Sequence, residues 1–134
     1  MALGEKIAKQ LRPGSVVALC GGLGSGKTCF AKGIALGLGV SETITSPTYT
    51  IVSEYTGTRP IGFSFYHIDA YRLTGDEDFQ QLGLCELING RGISVIEWGD
   101  RVAKSLPKDS VKIDIEITGN NMRLIRICGS GVSL

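Results

Sequence analysis

The stretch that most constrains this chain is Gly21-Gly22-Leu23-Gly24-Ser25-Gly26-Lys27-Thr28. It fits G-x-x-x-x-G-K-[ST], the phosphate-binding P-loop. Before it, residues 15–20 form a short apolar run, Ser-Val-Val-Ala-Leu-Cys, that reads as a buried strand. After it, Phe30, Ile34 and Leu38 recur four apart, which places them on one face of a helix over 27–38. Strand, glycine loop and helix follow in the order the motif requires, so a nucleoside triphosphate is the expected ligand.

The residue types fit that chemistry. Glycines let successive backbone N–H groups turn inward around an oxyanion, because no Cβ blocks the left-handed conformations needed. The helix that follows directs its positive end at the phosphates. Lys27 is expected to reach the β- and γ-phosphates and Thr28 to ligate Mg²⁺. Gly24, Ser25, Gly26 and Cys29 complete the expected nucleotide cradle.

At 134 residues the chain suits one domain with a real core. A net charge of +1 argues against a broad basic surface holding nucleic acid. No apolar run approaches the length of a membrane-spanning helix. The first residues lack the apolar core of a secretory signal, so a cytoplasmic setting is expected. Cysteines stand at 20, 29, 85 and 128 without a C-x-x-C pair, and the only histidine is His67. A zinc cluster is therefore not expected, and the four are read as free, buried thiols, with Cys29 weighed as a redox-sensitive exception.

Along the chain, residues 3–11 have helical spacing and Pro13-Gly14 ends that helix. A polar loop spans 40–48. Residues 49–55 and 62–69 read as strands joined by a short turn, hence an antiparallel hairpin. A helix is expected over 77–88, with Gly83 a weak point inside it. Residues 93–98 read as a buried strand and 101–106 as a short helix. Residues 111–117 and 122–128 alternate apolar with polar, giving a second hairpin with one wet face. The expected fold is a single α/β domain over 1–128, a mixed parallel/antiparallel P-loop sheet with flanking helices, and 129–134 a frayed tail.

Two acids end apolar strands and could serve the loop: Glu97 and Asp69. Carboxylates at the carboxyl edge of such a sheet face the ligand crevice. One would hold the metal, directly or through water, and the other would orient the attacking water; the residues alone do not fix which. Trp98 either packs on the nucleotide or closes the core edge. Arg72 reads as a surface residue that could reach a transferring phosphoryl group. His67 reads as a structural hydrogen-bonder.

Taken in order, the Gly-x-Leu-Gly-Ser-Gly-Lys-Thr loop, Thr45-Ser46-Pro47-Thr48, His67-Ile68-Asp69-Ala70-Tyr71-Arg72-Leu73, Leu82-Gly83 and Ile96-Glu97-Trp98 resemble the bacterial TsaE family. That is the ATPase component of the machinery that makes threonylcarbamoyladenosine in tRNA. The resemblance covers roughly residues 3–128. It implies binding of ATP or ADP with magnesium and slow hydrolysis by the isolated protein. It also implies two partner proteins, TsaB and TsaD, reset between rounds by hydrolysis, with tRNA contacted through those partners. By the same resemblance Lys27 contacts phosphates, Thr28 and Glu97 serve the magnesium, Asp69 is needed for hydrolysis, and residues 45–48 form a switch segment. Two positions depart from the family pattern: Gly22, usually acidic, and Cys29, often threonine.

Three other readings compete. A small-molecule kinase would use the same loop, but needs an acceptor pocket and a lid, and no lid-length insertion separates the strands. A guanine-nucleotide switch lacks its base-reading N-K-x-D. A binding module with a vestigial loop would be indifferent to the loss of Lys27.

Overall fold

The computed structural model describes residues 2–22, 24–42, 51–58, 61–120 and 122–129. Six strands form one sheet: β1 (Val16–Gly21), β2 (Val52–Thr58), β3 (Ile61–Asp69), β4 (Ile93–Glu97), β5 (Val111–Gly119) and β6 (Met122–Cys128). Their spatial order is β2-β3-β4-β1-β5-β6. The four central strands, β3, β4, β1 and β5, run parallel, and the two edge strands pair antiparallel to their neighbours. Both hairpins expected from the sequence are present, and they make the sheet mixed.

Burial explains the strand compositions. β1 and β4 are covered on both faces, and their apolar runs are nearly continuous. β5 buries Val111, Ile113 and Ile115 and exposes Lys112 and Glu116, the alternation of a strand with one wet face. On one face of the sheet lie helices α1 (Ala2–Ala8) and α2 (Lys27–Gly37). There Ile7, Phe30 and Ile34 pack against Val17, Leu19, Val95 and Ile113. On the other face lie α3 (Asp76–Gln81), α4 (Leu84–Ile88) and a 3₁₀ helix over Gly99–Ser105. There Phe79, Leu84, Ile88 and Val102 pack against Val16, Ile68 and Ile96.

The single helix expected over 77–88 is two helices. Gly83 adopts φ 74°, a left-handed conformation that ends α3 and starts α4. Phe79, Leu84 and Ile88 can thereby all reach the core, while Leu82 at the corner stays exposed. The 3₁₀ helix is tied to α3 through Asp76, whose Oδ1 accepts the Ser105 N–H at 2.8 Å and its hydroxyl at 2.7 Å.

The cysteines also depart from expectation. All four are free thiols, but only Cys20 is buried; Cys85 is half-buried, and Cys29 and Cys128 are exposed. Cys29 follows the loop on the open side of α2, and Cys128 ends an edge strand, so neither is enclosed by the core. Among the described residues no helix is long and apolar enough to cross a membrane. The 45–48 segment and the 130–134 tail lie outside the described residues.

Candidate functional site

β1 delivers the chain to the loop at Gly21, and α2 begins at Lys27. Between them Gly24 has φ 73° and Gly26 φ 103°, conformations that side-chain-bearing residues rarely adopt. Gly26 is the N-cap of α2, and no side chain caps that end. The first-turn N–H groups therefore point into the loop rather than at a cap, which is how an anion is received at a helix N-terminus.

Parallel pairing brings the acids to this end. β4 and β3 lie in register with Asp69 opposite Glu97. Strand alternation puts His67, Asp69, Val95 and Glu97 on one face. Val95 packs with α2 on that face, so Glu97 faces α2 as well. The contact is made: Thr28 Oγ1 lies 3.0 Å from Glu97 Oε1 and 3.2 Å from Oε2. Glu97 is buried, and His67 Nε2 supports its Oε2 at 2.5 Å. Asp69, half-buried beside it, accepts the Tyr71 N–H at 3.0 Å.

Lys27 is held close to the loop. Its Nζ donates to the Gly21 and Gly22 carbonyls, each at 2.8 Å, and sits 4.0 Å above the Trp98 ring. Burial pushes its ammonium below the ordinary lysine range, while the charges of Glu97, Asp69 and Asp100 act in the opposite direction. An anionic ligand would add to that second influence and favour the charged form.

Trp98 follows Glu97 with φ 60°, which turns the chain out of β4 and lays the indole along the cleft. Its ring contacts Tyr71 at 5.1 Å and also packs against the second core cluster, so it both closes the core edge and walls the site. Together Gly24, Ser25, Gly26, Lys27, Thr28, Cys29, Asp69, Tyr71, Glu97 and Trp98 line a cleft of about 360 Å³. All nine residues singled out in the sequence as catalytic, nucleotide-binding or metal-binding thus meet in one place.

Arg72 does not. It is exposed and does not line the cleft. The arginine beside the site is Arg101, which donates to the Tyr71 carbonyl at 2.8 Å and lies 5.4 Å from the Trp98 ring. Its position, three residues after Trp98 in one 3₁₀ turn, was a readable signal. Arg123 was not: it comes from β6 and donates to the Ser25 carbonyl at 3.1 Å, bracing the loop from 98 residues away.

The donor set fits magnesium. The Thr28 hydroxyl and the Glu97 carboxylate meet beside the phosphate loop, and both are hard oxygen donors of the kind Mg²⁺ takes. Among the described residues no cluster of three or more His, Cys, Asp or Glu could hold a metal alone. Mg²⁺ typically takes one or two protein oxygens with substrate phosphates rather than an all-protein cage.

Comparison with known proteins gives a consistent picture. The family model described as threonylcarbamoyl adenosine biosynthesis protein TsaE matches residues 1–125. A tRNA threonylcarbamoyladenosine biosynthesis protein TsaE from Treponema pallidum is 46% identical over 124 residues, covering 92% of this chain and 89% of the relative. The Bacillus subtilis protein of that name is 37% identical, covering 97% of this chain and 79% of its own. The crystal structure of Bacillus subtilis YdiB superposes with a TM-score of 0.76 at 36% identity, covering 97% of this chain and 78% of that one.

Proposed function

This chain belongs to the TsaE family, and from that premise we propose that it is the ATP-hydrolysing component of tRNA threonylcarbamoyladenosine biosynthesis. In this reading it acts in the cytoplasm, binds ATP or ADP with Mg²⁺, and uses slow hydrolysis to reset a TsaB–TsaD partner complex. The observation that carries the enzymatic part is the contact between Thr28, on the uncapped first turn of α2, and Glu97, with Asp69 in register beside it. A phosphate loop alone would serve a binding module; two strand-end acids at its mouth suit phosphoryl chemistry.

The residues divide the work by position. Backbone N–H groups from Gly24 to Thr28 cradle phosphate oxygens, and Lys27 leaves the Gly21 and Gly22 carbonyls to contact them. Thr28 and Glu97 would hold Mg²⁺, which when bound would supply charge neutralisation of the phosphate oxygens. Asp69 is the more exposed acid, which suits it to orient an attacking water. Trp98 and Tyr71 complete the wall of the site. The +1 net charge supports tRNA being contacted through the partners rather than by this chain.

The test is ATP turnover by the purified chain with and without a purified TsaB–TsaD pair. Slow turnover alone that changes when the pair is added is the expected result. Partners that neither bind the chain nor alter its rate would refute the reading. Transfer of the γ-phosphate to a small acceptor would replace it with a kinase.

A further inference from the structure

His67 is the only histidine in the chain and is fully buried, yet neither the phosphate cradle nor the magnesium pair uses it directly. Its Nε2 lies 2.5 Å from Glu97 Oε2. Its Nδ1 has no hydrogen-bond partner among the described residues. Its register partner on β4 is Val95, and its face of β3 continues inward to Phe65, both part of the apolar core. An imidazole in such a layer with one nitrogen unmet is a destabilising choice for packing. The nitrogen that is used points at the acid at the mouth of the site.

We propose that His67 is a positioning residue for Glu97, one that sets the affinity of the site for Mg²⁺ in the nucleotide complex. The inference rests on the magnesium reading given above. His67 donates from Nε2 to Oε2 and fixes one carboxylate oxygen from the core side. The Thr28 hydroxyl meets the same carboxylate from the α2 side, at 3.0 Å and 3.2 Å. Held between these two contacts, the side chain loses rotational freedom. Partners behind a metal-binding carboxylate commonly change metal affinity by about 10- to 100-fold. Asp69, on the same face of β3, relies on a different donor, the Tyr71 N–H, so loss of His67 is expected to act on Glu97 alone.

The experiment measures ADP binding by calorimetry across a Mg²⁺ titration and again in EDTA. It uses the wild-type chain, His67→Gln, His67→Asn and His67→Phe. Glutamine carries an N–H donor at about the reach of Nε2; asparagine is polar but too short; phenylalanine fills the volume without a donor. Asn and Phe are expected to weaken apparent Mg²⁺ affinity about 10- to 100-fold, leaving ADP affinity in EDTA unchanged, and Gln is expected to restore most of it. Equal behaviour of Gln and Asn, or equal loss with and without Mg²⁺, would overturn the proposal. Should the variants not fold, the wild type decides: its single imidazole gives one pair of ¹⁵N resonances, which must shift when Mg²⁺ is added to the ADP complex. Wild-type ADP binding indifferent to Mg²⁺ would sink the magnesium reading itself, whereas a Mg²⁺-sensitive wild type with flat variants sinks only the role of His67.

Discussion

Replacing Lys27 by alanine removes the one cation that the loop holds at its centre. Its Nζ is satisfied by the Gly21 and Gly22 carbonyls at 2.8 Å and by the Trp98 ring at 4.0 Å. Binding phosphate means giving those contacts up. Two charge-assisted hydrogen bonds to phosphate oxygens would contribute about 1.5–3 kcal/mol each. The surrendered bonds to neutral carbonyls, weaker than bonds to an anion, and the ring contact return roughly half of that sum. The net loss expected for Lys27→Ala is therefore about 1.5–3 kcal/mol, or roughly 10- to 150-fold in nucleotide affinity. Trp98 is the only tryptophan, so its fluorescence reports the departure of Lys27 directly in the wild type. Titrating ADP and a non-hydrolysable ATP analogue against both proteins, by Trp98 emission and by calorimetry, gives the comparison. Calorimetric affinities within about threefold of each other would refute the reasoning, because they would mean that the lysine stays on its carbonyls when nucleotide is present.

Asp69→Asn is expected to lower ATP turnover by about 10²- to 10⁴-fold while leaving nucleotide affinity near that of the wild type; parallel losses in both, measured by turnover and calorimetry, would count against Asp69 acting on water. Gly83→Ala is expected to destabilise by about 1–2 kcal/mol in urea unfolding, from the backbone alone, since the nearest atom to the new Cβ is Glu86 Oε2 at 3.8 Å. Hydrogen bonds from the Thr74 N–H and hydroxyl hold the Asp78 carboxyl below its ordinary 3.8. Its contribution is therefore complete above pH 3.8 and is lost as pH falls through the depressed folded value. Acid titrations of stability should accordingly show a shallower loss below pH 3.8 in Asp78→Asn than in the wild type, and superimposable curves would remove this account of the turn.

The site was legible where chemistry and chain order coincide. The loop from Gly21 to Thr28 states its own conformation through its glycines. Glu97 and Asp69 declare themselves as acids closing apolar runs, and parallel pairing then carries both to the same edge. What depended on register was harder to read. Alternation places His67 and Glu97 on one face, but only the alignment of β3 with β4 brings their side chains into contact. Arg123 lies beyond local reading: the second hairpin follows from its alternation, but only the pairing of β5 with β1 carries that hairpin to the loop and Ser25. Arg72 is the surface residue its place after a tyrosine suggests, and Arg101 occupies the position beside the cleft. The break at Gly83 was only partly legible: the glycine stood out as a weak point, but Phe79 and Leu82, three apart, suggest one continuing apolar face, and Leu82 is exposed at the corner.

The central claim is that Thr28 and Glu97 share a divalent ion at the mouth of the phosphate loop. Manganese in place of magnesium makes this visible by anomalous diffraction from crystals of the nucleotide complex. The account predicts a single anomalous peak beside the Thr28 hydroxyl, bonded to Glu97 directly or through one water, with Lys27 moved from the Gly21 and Gly22 carbonyls to the phosphates. A peak remote from both residues, or a nucleotide bound with Lys27 still on those carbonyls, would contradict it.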